Sequence, residues 1–158
     1  MSDLLDLWFA IAQAQTAHAR CLDDDRLEEW PDFFTDDCLY RVTSAENMRE
    51  GYEASLIFLN SKGMVRDRVS ALRTANIYER QAYRHVLGQP SILLVEADAV
   101  KSEVSFIVLR IMRDGKTDLF ATGRYLDTWR RTVDGVALTS RIVVCDSSRI
   151  DTLLALPL

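Results

Sequence analysis

The chain has 158 residues, of which 48% are hydrophobic and 27% are charged, and its formal net charge is −5. This length and composition predict one globular domain over residues 1–158. The acidic balance argues against a general nucleic-acid binder, because phosphate contacts require a basic surface. The sequence contains no apolar run of membrane-spanning length, and its amino terminus lacks the basic segment of a secretory signal. We therefore expect a cytoplasmic protein that does not interact with membranes.

The first third of the chain predicts helices followed by a short strand. Apolar residues recur at helical spacing across residues 4–22, which indicates a long amphipathic helix. The acidic run at residues 23–25 is expected to end it and to begin a second, shorter helix. Pro31 fits the first position of a further turn. Residues 35–37 predict a turn, and residues 38–43 predict a short strand.

A second amphipathic helix is expected over residues 60–74, and less regular structure follows it. Its capping residue would be Asn60 or Ser61. Its inward face would consist of Met64, Val65, Val69 and Leu72. Residues 78–87 are expected to contain a strand, and residues 88–90 to interrupt the regular structure.

The last third predicts an antiparallel meander. Three β-rich segments, at residues 101–112, 118–131 and 136–146, are separated by two Asp-Gly pairs at 114–115 and 134–135. Asp-Gly is a preferred pair for tight hairpin turns. Helices followed by such a meander indicate the α+β class. The order of elements resembles the nuclear-transport-factor-2-like fold, which implies a cone made by a curved antiparallel sheet around the amino-terminal helices.

The inventory of reactive side chains is sparse. The two histidines, His18 and His85, and the three cysteines, Cys21, Cys38 and Cys145, are widely spaced. A Rieske cluster requires two Cys-His ligand pairs, and the sequence contains no Cys-x-His. Because His18 lies on the apolar side of its helix, we interpret it as a packed, hydrogen-bonded core residue. The cysteines are expected to be buried thiols, and nucleophile and phosphate-binding motifs are absent.

One catalytic alternative remains open, since cone-shaped domains can enclose an acid–base pair. The candidate groups for it are Tyr40, His85, Asp127 and Asp146. The competing interpretation is that the two aspartates lie near strand ends and form ion pairs. The candidate partners are Arg124, Arg141 and Arg149.

An ordered set of segments carries a resemblance to a known family. The segments are EWP (29–31), FTDDC-x-YRV (34–42), DRVSALR (67–73), ANIYER (75–80), YRH (83–85), VLRIM (108–112), G-x-YLD (123–127), RIVVCDS (141–147) and DTLLALPL (151–158). Together they resemble the β subunits of bacterial aromatic-ring-hydroxylating dioxygenases. Within that family the likeness is greatest to members that act on terephthalate.

The resemblance implies a small, non-catalytic subunit of an α3β3 hexamer. In this family the large subunit carries the Rieske [2Fe-2S] cluster, the mononuclear Fe(II) and the substrate pocket, and the β subunits form a trimeric base. A separate reductase supplies electrons from NAD(P)H. The reaction adds both atoms of O₂ to an aromatic ring. The chain itself is then expected to bind no cofactor or metal and to have no catalytic residue.

The residues that match the family's motifs are expected to serve as subunit contacts or structural ion pairs. They are Arg68, Tyr83, Arg84, His85 and Asp127. Three alternative functions remain at this point. The chain could be the β subunit of a related salicylate, anthranilate or benzoate dioxygenase, a free-standing hydratase or isomerase of the same fold, or a small-ligand or interaction module.

Overall fold

The computed structural model describes residues 2–74, 81–149 and 156–158. Within them, helices precede a long meander, as the sequence predicts. The elements in chain order are α1 (Ser2–Asp23), a 3₁₀ helix (Leu27–Phe33), β1 (Phe34–Ser44), α2 (Ala45–Glu50), β2 (Ile57–Leu59), α3 (Lys62–Thr74), β3 (Gln81–Leu87), β4 (Ser91–Val95), β5 (Val100–Met112), β6 (Thr117–Thr132) and β7 (Gly135–Cys145).

The amino-terminal helix α1 confirms the first predicted element. Its buried face carries Leu7, Ile11, Gln15, His18 and Leu22, which recur three or four positions apart and therefore lie on one side of the helix. Two of these five side chains are polar. The helix thus brings hydrogen-bonding groups, as well as apolar surface, into the core.

The segment between α1 and β1 differs from the prediction. A single 3₁₀ helix takes the place of the expected second helix and further turn, and Pro31 lies inside it rather than at a first position. Residues 35–37 do not form a turn, because β1 already begins at Phe34. Phe34 and Cys38 are buried, and the register of β1 against β7 shifts between Phe34 and Leu39. This irregularity accommodates the exposed acidic residues within the strand.

The middle of the chain contains one predicted helix and three short elements that the periodicity did not reveal. Helix α3 begins after Ser61, whose Oγ accepts a hydrogen bond from the N–H of Met64 at 3.1 Å. Val65 and Val69 face inward as predicted, whereas Met64 is exposed. The short α2 is capped by Ser44 and ends at a left-handed Gly51, and β2 and β4 contain only three and five residues.

The sheet has the strand order β2-β1-β7-β6-β5-β3, with β4 also pairing with β5. The predicted antiparallel meander of β5, β6 and β7 is confirmed. Gly115 and Gly135, in its two tight turns, both have positive φ, which an Asp-Gly turn accommodates. The pairing of β1 with β7 is parallel, so the sheet is mixed rather than purely antiparallel. The α+β class is confirmed.

The core lies between the sheet and the helices. Helix α1 contacts both β3 and β7, so it spans the inner face of the curved sheet. The largest fully buried aromatic side chains of the core are Trp30, Trp129, Tyr40, Tyr125 and Phe34.

The strand predicted within residues 78–87 corresponds to β3, and its first three residues lie outside the described part. The motif segments at 75–80 and 151–155 lie there too. No described helix is long and apolar enough to cross a membrane.

Candidate functional site

Two oppositely charged side chains pair inside the core, where β6 and β7 run side by side. Asp127 lies directly opposite Arg141 in the strand register, and neither side chain has exposed surface. Asp127 Oδ1 accepts a hydrogen bond from Arg141 Nε at 2.8 Å, and Oδ2 accepts one from Nη2 at 2.9 Å. Burial lowers the pKa of Arg141, but the charge and hydrogen bonds of Asp127 outweigh burial and the net shift is upward. This bidentate pairing of the guanidinium and the carboxylate offsets much of the free-energy cost of removing both charges from water.

Gln15 connects α1 to this ion pair. Its Nε2 donates a hydrogen bond to Asp127 Oδ2 at 2.6 Å, and its Oε1 accepts one from Arg141 Nη2. The guanidinium also lies over the ring of Tyr125, 4.0 Å from the ring centroid, a favourable position for a cation. One amide on the helix therefore satisfies both members of a pair on the sheet.

His18 extends the network to the 3₁₀ helix. Its Nε2 lies 2.9 Å from Trp30 Nε1, and its Nδ1 lies 3.0 Å from Arg141 Nη1. Burial, reinforced by the nearby Arg141 charge, lowers the pKa of His18 well below its usual value, so the imidazole is neutral. A neutral imidazole accepts through only one nitrogen, so the N–H groups of Trp30 and Arg141 compete for it. The prediction of a packed, hydrogen-bonded His18 is confirmed.

This buried hydrogen-bond network connects four secondary-structure elements. Its members are Gln15, His18, Trp30, Asp127 and Arg141, each at most 2% exposed. They come from α1, the 3₁₀ helix, β6 and β7. A general acid or base has to come within hydrogen-bonding distance of a substrate proton. With the oxygens of Asp127 already bonded to Arg141 and Gln15, this arrangement favours structural support over proton transfer.

A second buried pair joins the end of α1 to β3. Asp23 Oδ1 lies 2.6 Å from His85 Nδ1, and the same carboxylate accepts the backbone N–H of His85 at 3.0 Å. The two side chains are 4% and 0% exposed. Among the described residues, Nε2 of His85 is buried without a hydrogen-bond partner. Asp23 therefore fixes the orientation of the ring, as carboxylates commonly do for imidazoles.

The four groups proposed as an acid–base set have different partners. The hydroxyl of Tyr40 donates to the carbonyl oxygen of Leu158 at 2.8 Å and accepts its N–H at 3.0 Å. Asp127 pairs with Arg141, and it lies in the interior of β6 rather than near the predicted strand end. The exposed Asp146 accepts a hydrogen bond from Thr122 Oγ1 at 2.9 Å. The carboxylate partner of His85 is Asp23, which was not among the predicted acid–base groups.

The described side chains do not fit a metal centre. Across residues 2–74, 81–149 and 156–158, His, Cys, Asp and Glu form no group of three that could hold an ion. Cys21, Cys38 and Cys145 are buried free thiols. Burial raises the pKa of Cys21 to about 11 and that of Cys145 to about 12, which leaves both protonated and unreactive at neutral pH.

Comparison with family models resolves what kind of protein has this architecture. The model described as "Ring hydroxylating beta subunit" matches residues 17–152. The chain belongs to this family. Residues 2–16 of α1 precede the matched region, whereas both buried pairs, Asp127–Arg141 and Asp23–His85, lie inside it.

Curated relatives of this β subunit agree with the assignment. It is 51% identical over 149 residues, 94% of this chain and 96% of the relative, to the β 1 subunit of the terminal oxygenase component of terephthalate 1,2-dioxygenase from Comamonas sp.. It is 35% identical over 158 residues, 100% of this chain and 98% of the relative, to the anthranilate 1,2-dioxygenase small subunit from Burkholderia cepacia.

Solved structures confirm the fold of the β subunit. A β subunit assigned to an aromatic-ring-hydroxylating dioxygenase of Novosphingobium aromaticivorans superposes with a TM-score of 0.89 at 41% identity, over 99% of both chains. An NTF2-like protein from the same species superposes with a TM-score of 0.69 at 17% identity, over 93% of this chain and 86% of that one. The second match concerns the fold alone and supports the predicted NTF2-like architecture.

The residues predicted as subunit contacts or structural ion pairs differ in how far they are buried. Tyr83 and His85 are buried on β3, and the ring of Tyr83 stacks on Phe120. Arg84, between them, points outward, with 65% of its side chain exposed and its Nη1 3.9 Å from Asp23. Arg68 is half-buried on α3.

Gln15 and Asp23 were not predicted to be functional residues. Gln15 lies within the predicted helix at residues 4–22, on the side that carries its apolar residues. A glutamine in that position was the available signal, because a buried polar group needs a hydrogen-bond partner. Asp23 appeared as part of an acidic helix end. Its partner His85 is 62 positions away, and no local pattern links the two.

Proposed function

We propose that this β subunit is the structural, non-catalytic small subunit of a Rieske non-haem iron dioxygenase. The observation that carries the proposal is its identity of 51% with a terephthalate dioxygenase β subunit, over 94% of this chain and 96% of the relative. The large subunit would hold both iron centres. This chain would bind no cofactor and would supply a rigid platform.

The internal chemistry of the chain supports a structural role. The buried ionisable groups Asp127, Arg141 and Asp23 have protein partners, and buried polar groups satisfied in this way make an assembly rigid. His18 is neutral and lies between two donors. These groups hold the sheet and helices in place, which is what a supporting subunit requires.

Terephthalate is the ring that the comparisons favour as substrate. The chain is 51% identical to the terephthalate subunit and 35% identical to the anthranilate subunit. The enzyme would consume terephthalate, O₂, NAD(P)H and a proton, and would produce a cis-dihydrodiol of terephthalate and NAD(P)⁺. Electrons would arrive through a separate reductase. The proposed assembly is an α3β3 hexamer with a β3 base in the cytoplasm.

Co-expression with the large subunit tests this function. We expect the two chains to co-purify, with the iron and the Rieske absorbance in the complex and none in the isolated β subunit. With the reductase and NADH, the complex should oxidise terephthalate faster than anthranilate or benzoate. An isolated chain that binds stoichiometric iron, or that converts a substrate unaided, would show that it is not a supporting subunit.

A further inference from the structure

The imidazole of His85 has one ring nitrogen that is buried without a hydrogen bond. Nδ1 lies 2.6 Å from Asp23 Oδ1, whereas Nε2 has no hydrogen-bond partner within residues 2–74, 81–149 and 156–158. The side chain has no exposed surface, so bulk solvent does not reach Nε2. Leaving a buried polar atom unpaired costs free energy, and such atoms are rare in folded proteins.

Asp23 determines which nitrogen of His85 carries the ring hydrogen. Its carboxylate also accepts the backbone N–H of His85 at 3.0 Å, and it lies 3.9 Å from Nη1 of Arg84. An ionised carboxylate only accepts hydrogen bonds, so the hydrogen lies on Nδ1 and the lone pair on Nε2. Nε2 is therefore an acceptor held in a fixed orientation, and the group that it lacks is a donor.

The neighbours of His85 on the inner face of the sheet are aliphatic or aromatic. Val108 is its register partner on β5, and Ala121 is the partner of Val108 on β6; both are buried. Along β3, the centroid of the Tyr83 ring lies 6.1 Å from that of His85, and the same ring stacks on Phe120. Side chains two positions apart in a strand share a face, so an apolar surface flanks the imidazole.

Helix α1 packs over the same part of the sheet. It contacts β3, and its buried residue His18 lies in the same interior as His85, because burial, Arg141 and His85 together lower the pKa of His18. The two ring nitrogens of His18 already lie within hydrogen-bonding distance of Trp30 and Arg141. His18 is therefore not the donor that His85 Nε2 lacks.

These surroundings favour a ligand with one polar group over a buried water molecule. A buried water typically makes about two to four hydrogen bonds. Nε2 of His85 offers one, and the side chains of Val108, Ala121 and Phe120 offer none. A molecule with one hydroxyl group and an otherwise apolar body complements both the acceptor and its neighbours.

We propose that Nε2 of His85 binds the hydroxyl group of a small, mainly apolar molecule inside the cone, and that phenols represent this class. The hydroxyl donates its hydrogen to Nε2, Asp23 holds the imidazole in place, and the rings of Tyr83 and Phe120 contact the body of the ligand. The binding is non-covalent and uses only residues of this chain. It therefore goes beyond the supporting role proposed above and does not depend on it.

Phenol and toluene are matched probes, since one carries a hydroxyl where the other carries a methyl group. Isothermal titration calorimetry of the full chain at pH 8 would give the dissociation constant of each. His85→Leu removes the acceptor but keeps a buried side chain, and circular dichroism would verify its folding. We expect the affinity for phenol, relative to that for toluene, to fall about tenfold in His85→Leu, because a buried hydrogen bond is lost.

Nuclear magnetic resonance of the ¹⁵N-labelled wild-type chain tests the same contact without a variant. The sequence contains only two histidines, so their four ring nitrogens can be assigned. Phenol should shift the Nε2 resonance of His85 in the direction that accepting a hydrogen bond causes, and toluene should not. His18 is the internal control, and its nitrogens should keep their positions.

Asp23→Asn tests the orientation of the ring. An amide can donate to Nδ1 of His85, which places the ring hydrogen on Nε2 and removes the acceptor. The phenol-induced shift should therefore decrease in this variant. Asp146→Asn is the matched control, because Asp146 is exposed and contacts Thr122 instead; its spectrum should respond to phenol like that of wild type.

Four outcomes would overturn the inference. They are a wild-type chain that does not bind phenol up to its solubility limit, a phenol-to-toluene affinity ratio that His85→Leu leaves unchanged, an Nε2 of His85 that carries the ring hydrogen in the ligand-free chain, and a crystal structure grown with phenol that shows only water at Nε2. None of them bears on co-purification with the large subunit, which tests the proposed function separately.

Discussion

Asp127 and Arg141 face each other at one register position of β6 and β7, and Arg141 Nε lies 2.8 Å from Asp127 Oδ1 with no exposed surface on either side chain. Gln15 from α1 bonds to both. The sheet and the helix are thus joined by charge as well as by apolar packing. A buried pair of this kind is most costly when one partner is removed, because the other charge then remains unpaired and dehydrated.

Asp127→Asn should therefore destabilise the fold. The substitution keeps the size of the side chain but removes its charge, so Arg141 loses its buried counter-ion. We expect the free energy of unfolding to fall by about 3–5 kcal/mol, measured by urea denaturation.

Glu103→Gln is the matched control, since Glu103 Oε1 lies 2.6 Å from Arg124 Nη1 on the outer face of the sheet. That pair is partly exposed, and exposed pairs contribute only about 0–1 kcal/mol. Equal losses in the two variants would show that burial of the Asp127–Arg141 pair has no special importance.

The hydrogen bonds between Tyr40 and Leu158 predict that Tyr40→Phe lowers the stability of the fold. Tyr40→Phe removes the hydroxyl that both donates to the carbonyl of Leu158 and accepts its N–H. Two buried main-chain groups then lose their partner, at a cost of about 1–3 kcal/mol. Thermal denaturation should show a lower Tm than in Tyr52→Phe, because the ring of Tyr52 is exposed. Equal Tm values would indicate that Leu158 finds another partner.

Stability should fall as the pH decreases below the ordinary pKa of histidine. Burial and the Arg141 charge hold the pKa of His18 well below its usual value in the folded state, whereas in the unfolded chain it returns to about 6.5. Below that pH the unfolded state binds a proton that the folded state does not. Well below that pH, the titration of His18 lowers the free energy of unfolding by up to about 1.4 kcal/mol per pH unit.

His18→Gln tests this origin of the pH dependence. Glutamine offers an acceptor to Trp30 or Arg141 but does not titrate. The free energy of unfolding of the variant, measured from pH 7 to pH 5, should therefore fall less steeply than that of wild type. Parallel curves would mean that His18 does not titrate differently in the two states.

Gly123 should not tolerate a side chain. A Cβ there would lie 2.1 Å from the carbonyl oxygen of Val144 and 3.0 Å from the ring of Phe106, and the backbone oxygen cannot move without disturbing the β6–β7 pairing. We expect Gly123→Ala to lower the free energy of unfolding by about 1–3 kcal/mol or more.

Gly63→Ala is the matched control on α3. A Cβ at that position approaches only Ser61 Oγ, at 3.7 Å, and alanine is the better helix former by about 1 kcal/mol. The two substitutions should therefore change stability in opposite directions in urea denaturation. Tolerance of Gly123→Ala would mean that the strands separate easily at this point.

Periodic segments and turn residues were sufficient to predict much of the fold. The β-rich composition and length of β5, β6 and β7, with Asp-Gly between them, predicted the meander. Helical spacing specified α1 and α3. The short strands β2 and β4 were not predicted, because three to five residues carry too little periodic signal. The acidic residues before Cys38 suggested a turn, although pairing with β7 extends β1 across them.

By itself the sequence determined the class of fold, the central meander and, through the ordered motifs, the family. These depend on local backbone preferences and on residues near one another in the chain. Only the tertiary structure decided that β1 runs parallel to β7, that Asp23 holds His85, and that Gln15 satisfies the Asp127–Arg141 pair. The partners in these contacts are distant in sequence, and their geometry arises only when the core closes and water is removed from the charges.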